Sequence, residues 1–188
     1  GGIAYLSIDN QIVGSLMFAI GLITILKYRL SLFTGKVAYL IDINKKLNKL
    51  IELLIIWIGN FIGVFTIANI MYFSNKINLI YKAQIISSAK LSNSYSSIFL
   101  LSCLCGVLMF LAVESFKQNI SGIERLIMVF MPVSIFILSG YEHCIANMFY
   151  FSLAKAWNVT SFKYLIVMSI GNAGGSIVFY RLMKIVKK

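Results

Sequence analysis

The chain holds one histidine, His143, and it directly follows a glutamate in the run Ser139-Gly140-Tyr141-Glu142-His143. An imidazole at this point can donate a hydrogen bond to an anion or share a proton with it. Glu142 beside it suggests an acid–base pair, but adjacent helical residues do not face each other. Glu142 is therefore expected to point away from His143 and to act as a structural acceptor. A metal site is poorly served, because there is no second histidine. Cys103, Cys105 and Cys144 include a single C-x-C pair without the second pair that zinc needs. They are expected to be small apolar packing residues. Neither a metal nor an organic cofactor is implied, and no nucleophile lies at a suggestive spacing from the histidine, so enzyme chemistry is not expected. What remains for His143 is hydrogen bonding or proton exchange with something small and negatively charged.

The elements that must position this histidine are membrane helices. Of the 188 residues, 60% are hydrophobic and 12% charged, against about 45–50% and about 25% in soluble domains. A chain this short cannot bury that much apolar surface within itself. The net charge of +11 does not indicate nucleic acid, because the basic residues sit mostly at the ends of apolar runs, where they set topology. The apolar runs cover residues 11–32, 37–43, 50–73, 98–116, 126–154 and 162–182. The polar connection 74–97 carries Lys76, Lys82 and Lys90, and its stretch 79–89 fits a short interfacial helix. The basic segments 45–49 and 117–125 and the C-terminus are expected on the cytoplasmic side. The three lysines of 74–97 then fall outside, as a basic rim that attracts anions.

Two of the apolar runs are interrupted, at Thr34-Gly35 and at Ser139-Gly140. Irregular backbone at membrane depth is tolerated only where protein buries it or where it lines a cavity. Each break leaves free N–H groups at the start of a second half-helix, and these favour an anion without the trapping effect of a fixed charge. The chain also repeats itself. Ile58-Gly59-Asn60-Phe61-Ile62-Gly63 and Ile170-Gly171-Asn172-Ala173-Gly174-Gly175 both read I-G-N-x-x-G, 26 residues after Thr34 and 29 after His143. The pattern predicts inverted three-helix repeats, with Asn60 and Asn172 finding partners in the broken backbone of their own halves. The first half lacks an opening helix, so a further span before Gly1 is expected, with 1–188 forming one N-terminally incomplete transmembrane domain.

The segments Leu32-Phe33-Thr34-Gly35 and Gly140-Tyr141-Glu142-His143-Cys144-Ile145-Ala146-Asn147-Met148 resemble the signatures of the formate/nitrite transporter family, as does Gly171-Asn172-Ala173-Gly174-Gly175. Phe18-Ala19-Ile20-Gly21-Leu22 is similar to a further stretch of that family. The resemblance implies an all-α, aquaporin-like protomer in a homopentamer, multi-pass in a bacterial plasma membrane, passing formate, nitrite, hydrosulfide or a similar monovalent anion. It also implies proton coupling in some members. By position, it assigns Leu32, Phe33 and Thr34 to an inner constriction, Phe18 and Phe136 to an outer one, and His143 to the centre of the path with Thr34 as its partner. Asn172 matches a path residue of the last helix. Gly35, Gly140, Glu142, Asn147 and Asn60 are expected to hold the breaks. Lys27, Arg29 and Lys36 add positive charge near the first break, where the family pattern has none. An aquaporin-like channel for neutral solutes is the alternative, although the paired Asn-Pro-Ala motifs of such channels are absent.

Overall fold

The computed structural model describes residues 1–42, 46–118 and 121–186, and every described element is a helix. Parts of the expected cytoplasmic segments, residues 43–45, 119–120 and 187–188, lie outside the described residues. A short α1 (Gly2–Ser7) leads into α2 (Gln11–Lys27). Asn10 starts α2, its Oδ1 accepting from Ile12 and Val13 N–H at 3.0 and 3.1 Å, which satisfies two of the donors that a helix start leaves free. After the first break come α3 (Phe33–Lys36), a 3₁₀ turn (Val37–Asp42) and the long α4 (Lys46–Phe73). The second half follows as α5 (Ile77–Leu91), α6 (Tyr95–Lys117), α7 (Gly122–Leu138), α8 (Cys144–Leu153) and α9 (Val159–Val186). Among the described residues, α4, α6 and α9 are long and apolar enough to cross a membrane alone. The two interrupted crossings are α2 with α3, and α7 with α8.

Both breaks close in the same way. Arg29 has φ 55° and Leu30 N–H donates to Ile25 C=O at 2.9 Å; Gly140 has φ 67° and Tyr141 N–H donates to Phe136 C=O at 2.9 Å. This is the left-handed helix stop, and the two copies lie 111 residues apart (140 − 29). The first break therefore spans residues 28–32, not Thr34-Gly35 as the sequence suggested. Gly35 sits inside α3, where a methyl group in its place would meet Val113 at 3.4 Å, and Thr34 is already helical. The reason is that a non-glycine residue takes the left-handed position, at a cost of about 1 kcal/mol, so its type gave no signal. Lys27 then ends a helix, and Arg29 stands in an exposed turn, so neither is buried in an apolar span.

The halves interlock. The closing helix of each half packs on the second piece of the other half's broken helix, α4 on α8 and α9 on the 3₁₀ turn. α2 lies against α7, and α6 against both α7 and α9. The core at this crossing includes Ala19, Val133, Phe136, Met148 and Leu165. At the α6–α9 contact the two backbones touch. A methyl group on Gly171 would fall 2.5 Å from Ser102 Cβ, and groups on Gly106 and Gly175 would run into the backbones of Asn172 and Cys103. Gly59 and Gly63, the matching glycines of the first repeat, meet no such neighbour among the described residues. Close approach thus belongs to one repeat only. The outer face of α4 exposes Leu47, Leu54, Ile55 and Ile62, as a lipid-facing surface would.

The connection 74–97 forms α5, which buries Leu79, Ala83 and Ser87, an i, i+4, i+8 stripe. Two of its lysines are not a free rim. Lys82 donates to Leu6 C=O at 3.0 Å and pairs with Asp9 at 2.7 Å, holding the Asp9 carboxyl below the usual carboxylate range. Lys90 turns inward to Glu142 at 2.7 Å. They are consumed because α5 packs on α1 and α8 and thereby brings its polar side to buried carboxyl and carbonyl groups.

Gly175→Val should destabilise the protein by about 1–3 kcal/mol, because a side chain at the backbone contact forces α6 and α9 apart. Gly174→Ala, one residue away and facing open space, should be neutral or slightly stabilising. Thermal unfolding in detergent micelles reads the difference, and equal effects would contradict the packing described.

Candidate functional site

Each break is held by one asparagine. Asn172 Oδ1 accepts from Cys144 N–H at 2.8 Å, and its Nδ2 donates to Glu142 C=O at 2.7 Å and Ser102 C=O at 2.8 Å. Asn60 Oδ1 accepts from Phe33 N–H at 3.0 Å, and its Nδ2 donates to Ser31 C=O at 2.9 Å. In both halves the primary amide spans the N–H of one residue and the carbonyl two residues earlier. A primary amide carries the donor and the acceptor that this task needs. It satisfies backbone groups which would otherwise lie buried and unpaired. The residue enclosed by each clasp is Leu32 in the first half and His143 in the second. These two are structural counterparts, again 111 residues apart (143 − 32).

His143 is the N-cap of α8, and its Nδ1 accepts from Ala146 N–H at 3.2 Å. A backbone N–H can only donate, so this bond assigns the proton of the neutral ring to Nε2. Nε2 lies 3.0 Å from Thr34 Oγ1 and donates to it. Phe136 stacks on the imidazole, with centroids 5.6 Å apart, and Phe18 meets Phe136 edge-on at 5.7 Å. Phe18, Phe136, His143 and Thr34 therefore form one continuous line of side chains. A second proton on the ring would require Nδ1 to leave the Ala146 N–H.

Glu142 turns away from this line. It is 1% exposed, and its Oε2 accepts from Lys90 Nζ and from Asn147 Nδ2, both at 2.7 Å. Taking a carboxylate out of water costs several kcal/mol unless it is paired and hydrogen-bonded, and here it is both. Lys90 is the participant that sequence reasoning missed. It sits 52 residues earlier on α5, and no local pattern links the two positions.

Two cavities meet at the histidine. One of about 470 Å³ is lined by Phe18, Leu32, Asn60 and Val133, among others. The other, about 260 Å³, is lined by Lys90, Gly140, Glu142, Asn147 and Tyr150, among others. Phe136, His143 and Ala146 line both and form the partition. Thr34, 1% exposed, sits behind the imidazole and lines neither cavity; Phe33 packs half-buried against the core. Asn172, grouped with the path residues on sequence grounds, is fully buried, and its amide is spent on backbone. It supports the break from behind. Among the described residues no group of three or more histidine, cysteine or acidic side chains could hold a metal ion.

Asn172→Leu leaves Cys144 N–H and two carbonyls unpaired in a buried place, and it should cost about 3 kcal/mol or more. Asn60→Leu should cost about 1 kcal/mol, because Ser31 C=O is exposed and can turn to water. Unfolding in micelles ranks the two, and a reversed order would contradict the account.

The comparisons with known proteins agree with this arrangement. A family model described as formate/nitrite transporter matches residues 3–186. Formate channel FocA of Haemophilus influenzae is 27% identical, over 93% of this chain and 74% of that protein. Formate channels FocB and FocA of Escherichia coli are 26% and 27% identical, over 78% and 74% of this chain. The chain spans about half the length of these two, 55% and 52%. A solved pentameric formate channel with formate bound superposes with a TM-score of 0.83 at 23% identity, covering 98% of this chain and 89% of that one. A solved FNT family ion channel gives 0.80 at 22% identity, covering 100% and 85%. With the family model matching nearly end to end, the chain belongs to the formate/nitrite transporter family of membrane proteins.

Proposed function

We propose that the chain passes small monovalent anions of the formate, nitrite or hydrosulfide class across a bacterial plasma membrane, as one protomer of a homopentamer and without enzyme chemistry. The observation that carries this is the Nε2–H of His143 on Thr34, set in the partition between two cavities at the two breaks. With the ring proton donated to Thr34 Oγ1, the threonine keeps its own hydroxyl hydrogen. No other hydrogen-bond partner of that hydroxyl is found among the described residues. An anion that accepts it draws on a chain polarised by the imidazole. The half-helix starts at Phe33 and Cys144 add the positive ends of their dipoles. Phe18, Phe136 and Leu32 supply the apolar narrowing that strips water. None of these groups carries a fixed charge, so the anion is held weakly enough to leave.

Proton-linked passage would require the His143 ring to leave the Ala146 N–H, since Nδ1 is otherwise occupied. The family match and the formate channels among the relatives support the substrate class, and the pentameric title of one neighbour supports the assembly. The span of the family match supports a single transmembrane domain.

Proteoliposomes holding the protein should take up at least one of formate, nitrite and hydrosulfide about tenfold faster than empty vesicles. Uptake of none of the three, with passage of neutral solutes such as glycerol instead, would overturn the proposal. His143→Phe keeps the ring packing and removes the donor; it should slow anion flux by about 10- to 100-fold, the range of a lost hydrogen bond to a charged group. A variant flux equal to wild type would remove His143 from the path.

A further inference from the structure

The 260 Å³ cavity on the α5 side of the partition contains more polar chemistry than the clasp requires. His143, Ala146, Asn147 and Tyr150 all line it, an i, i+3, i+4, i+7 set that places one face of α8 along its wall. Tyr150 is 4% exposed, and its hydroxyl has no hydrogen-bond partner among the described residues. Asn147 is 1% exposed; its Nδ2 is used by Glu142, but its Oδ1 is likewise unpartnered. An orphaned buried polar atom costs about 1–3 kcal/mol, and most such atoms have a partner. Two of them in the wall of one cavity point to a polar guest. Lys90 lines the same cavity, and its ammonium has three hydrogens, one of which is given to Glu142.

We propose that this cavity is a second binding position for the permeating anion, apart from the His143–Thr34 position, with Lys90 Nζ and Tyr150 Oη donating to it. The proposal rests on the anion-passing function given above. Asn147 Oδ1 is an acceptor and repels a bare anion, so it takes a hydrogen from a water that the anion carries. A water occupies about 30 Å³, so the volume admits a two- or three-atom anion with part of its hydration shell. The anion waits there partly hydrated and loses the remaining water at the Phe136–His143 partition. Glu142, 2.7 Å from Lys90, offsets most of the ammonium charge and keeps the position weak enough to empty.

Tyr150→Phe removes the hydroxyl and keeps the ring. The half-saturating formate concentration for flux into proteoliposomes should rise about three- to tenfold, the effect of one hydrogen bond, with maximal flux within about twofold of wild type. Crystals of the wild-type protein grown in bromide should show an anomalous peak in the cavity between Lys90 and Tyr150. An unchanged half-saturating concentration together with a gain in thermal stability would overturn the proposal, since it would mark the hydroxyl as merely orphaned. Bromide found only beside His143 would overturn it as well. If Tyr150→Phe does not fold, the bromide peak in the wild type decides. If the wild type passes no formate, the anion-passing function fails by itself, and the bromide peak still decides whether the cavity binds anions.

Discussion

A membrane helix can be interrupted only if something other than water takes up the freed N–H and C=O groups. In this protein a single primary amide does so at each break, and the arrangement around it follows from that requirement. The amide must reach the start of a half-helix and the carbonyl two residues before it, so the helix carrying it must pass directly behind the break. α9 does this for the second break, and α4 for the first. The residue enclosed between the two bonded positions has its own backbone held on both sides. Its side chain is then fixed in direction, and at the second break that side chain is the only histidine of the chain.

The halves share geometry but not strength. Asn172 makes a third bond, to Ser102 C=O, because Gly106, Gly171 and Gly175 let α6 and α9 touch at backbone distance. Asn60 has no such neighbour, and the glycines beside it face open space. The stiffer clasp lies behind the histidine, and the looser one lies behind Leu32. The counterpart of a titratable donor is thus an apolar side chain, so that hydrogen-bonding capacity and exclusion of water fall to opposite halves of one fold. Glu142, next in the chain, is tied to Lys90 and Asn147 on the far side and does not share a proton with the imidazole.

Much of this was legible in the sequence because membrane burial makes polar residues conspicuous. Asn60 and Asn172 stood out in apolar runs, and so did His143. The repeat I-G-N-x-x-G tied each amide to a break. The place of the first break was not legible, because its turn residue is Arg29, and a left-handed arginine looks like any other arginine. The inward turn of Lys90 was not legible either, because it depends on how α5 lies against α8, and sequence spacing does not encode that. The assignment of Asn172 to the path failed for a related reason: position along a helix does not reveal whether a side chain faces the cavity or the backbone behind it. Lys27 and Arg29 had no account while they were placed inside a helix; they belong to an exposed turn.

The central claim is that the clasped break holds His143 as a neutral ring, with Nδ1 accepting from backbone and Nε2–H directed at Thr34 within reach of an anion. Because the chain has one histidine, uniform labelling gives an unambiguous signal. The measurement is the ¹⁵N spectrum of that imidazole in the protein reconstituted in lipid at neutral pH, with and without formate. The account predicts a protonated Nε2, an unprotonated and hydrogen-bonded Nδ1, and a shift of the Nε2 signal when formate is added. A ring protonated at Nδ1, or one whose signals ignore formate, would contradict it.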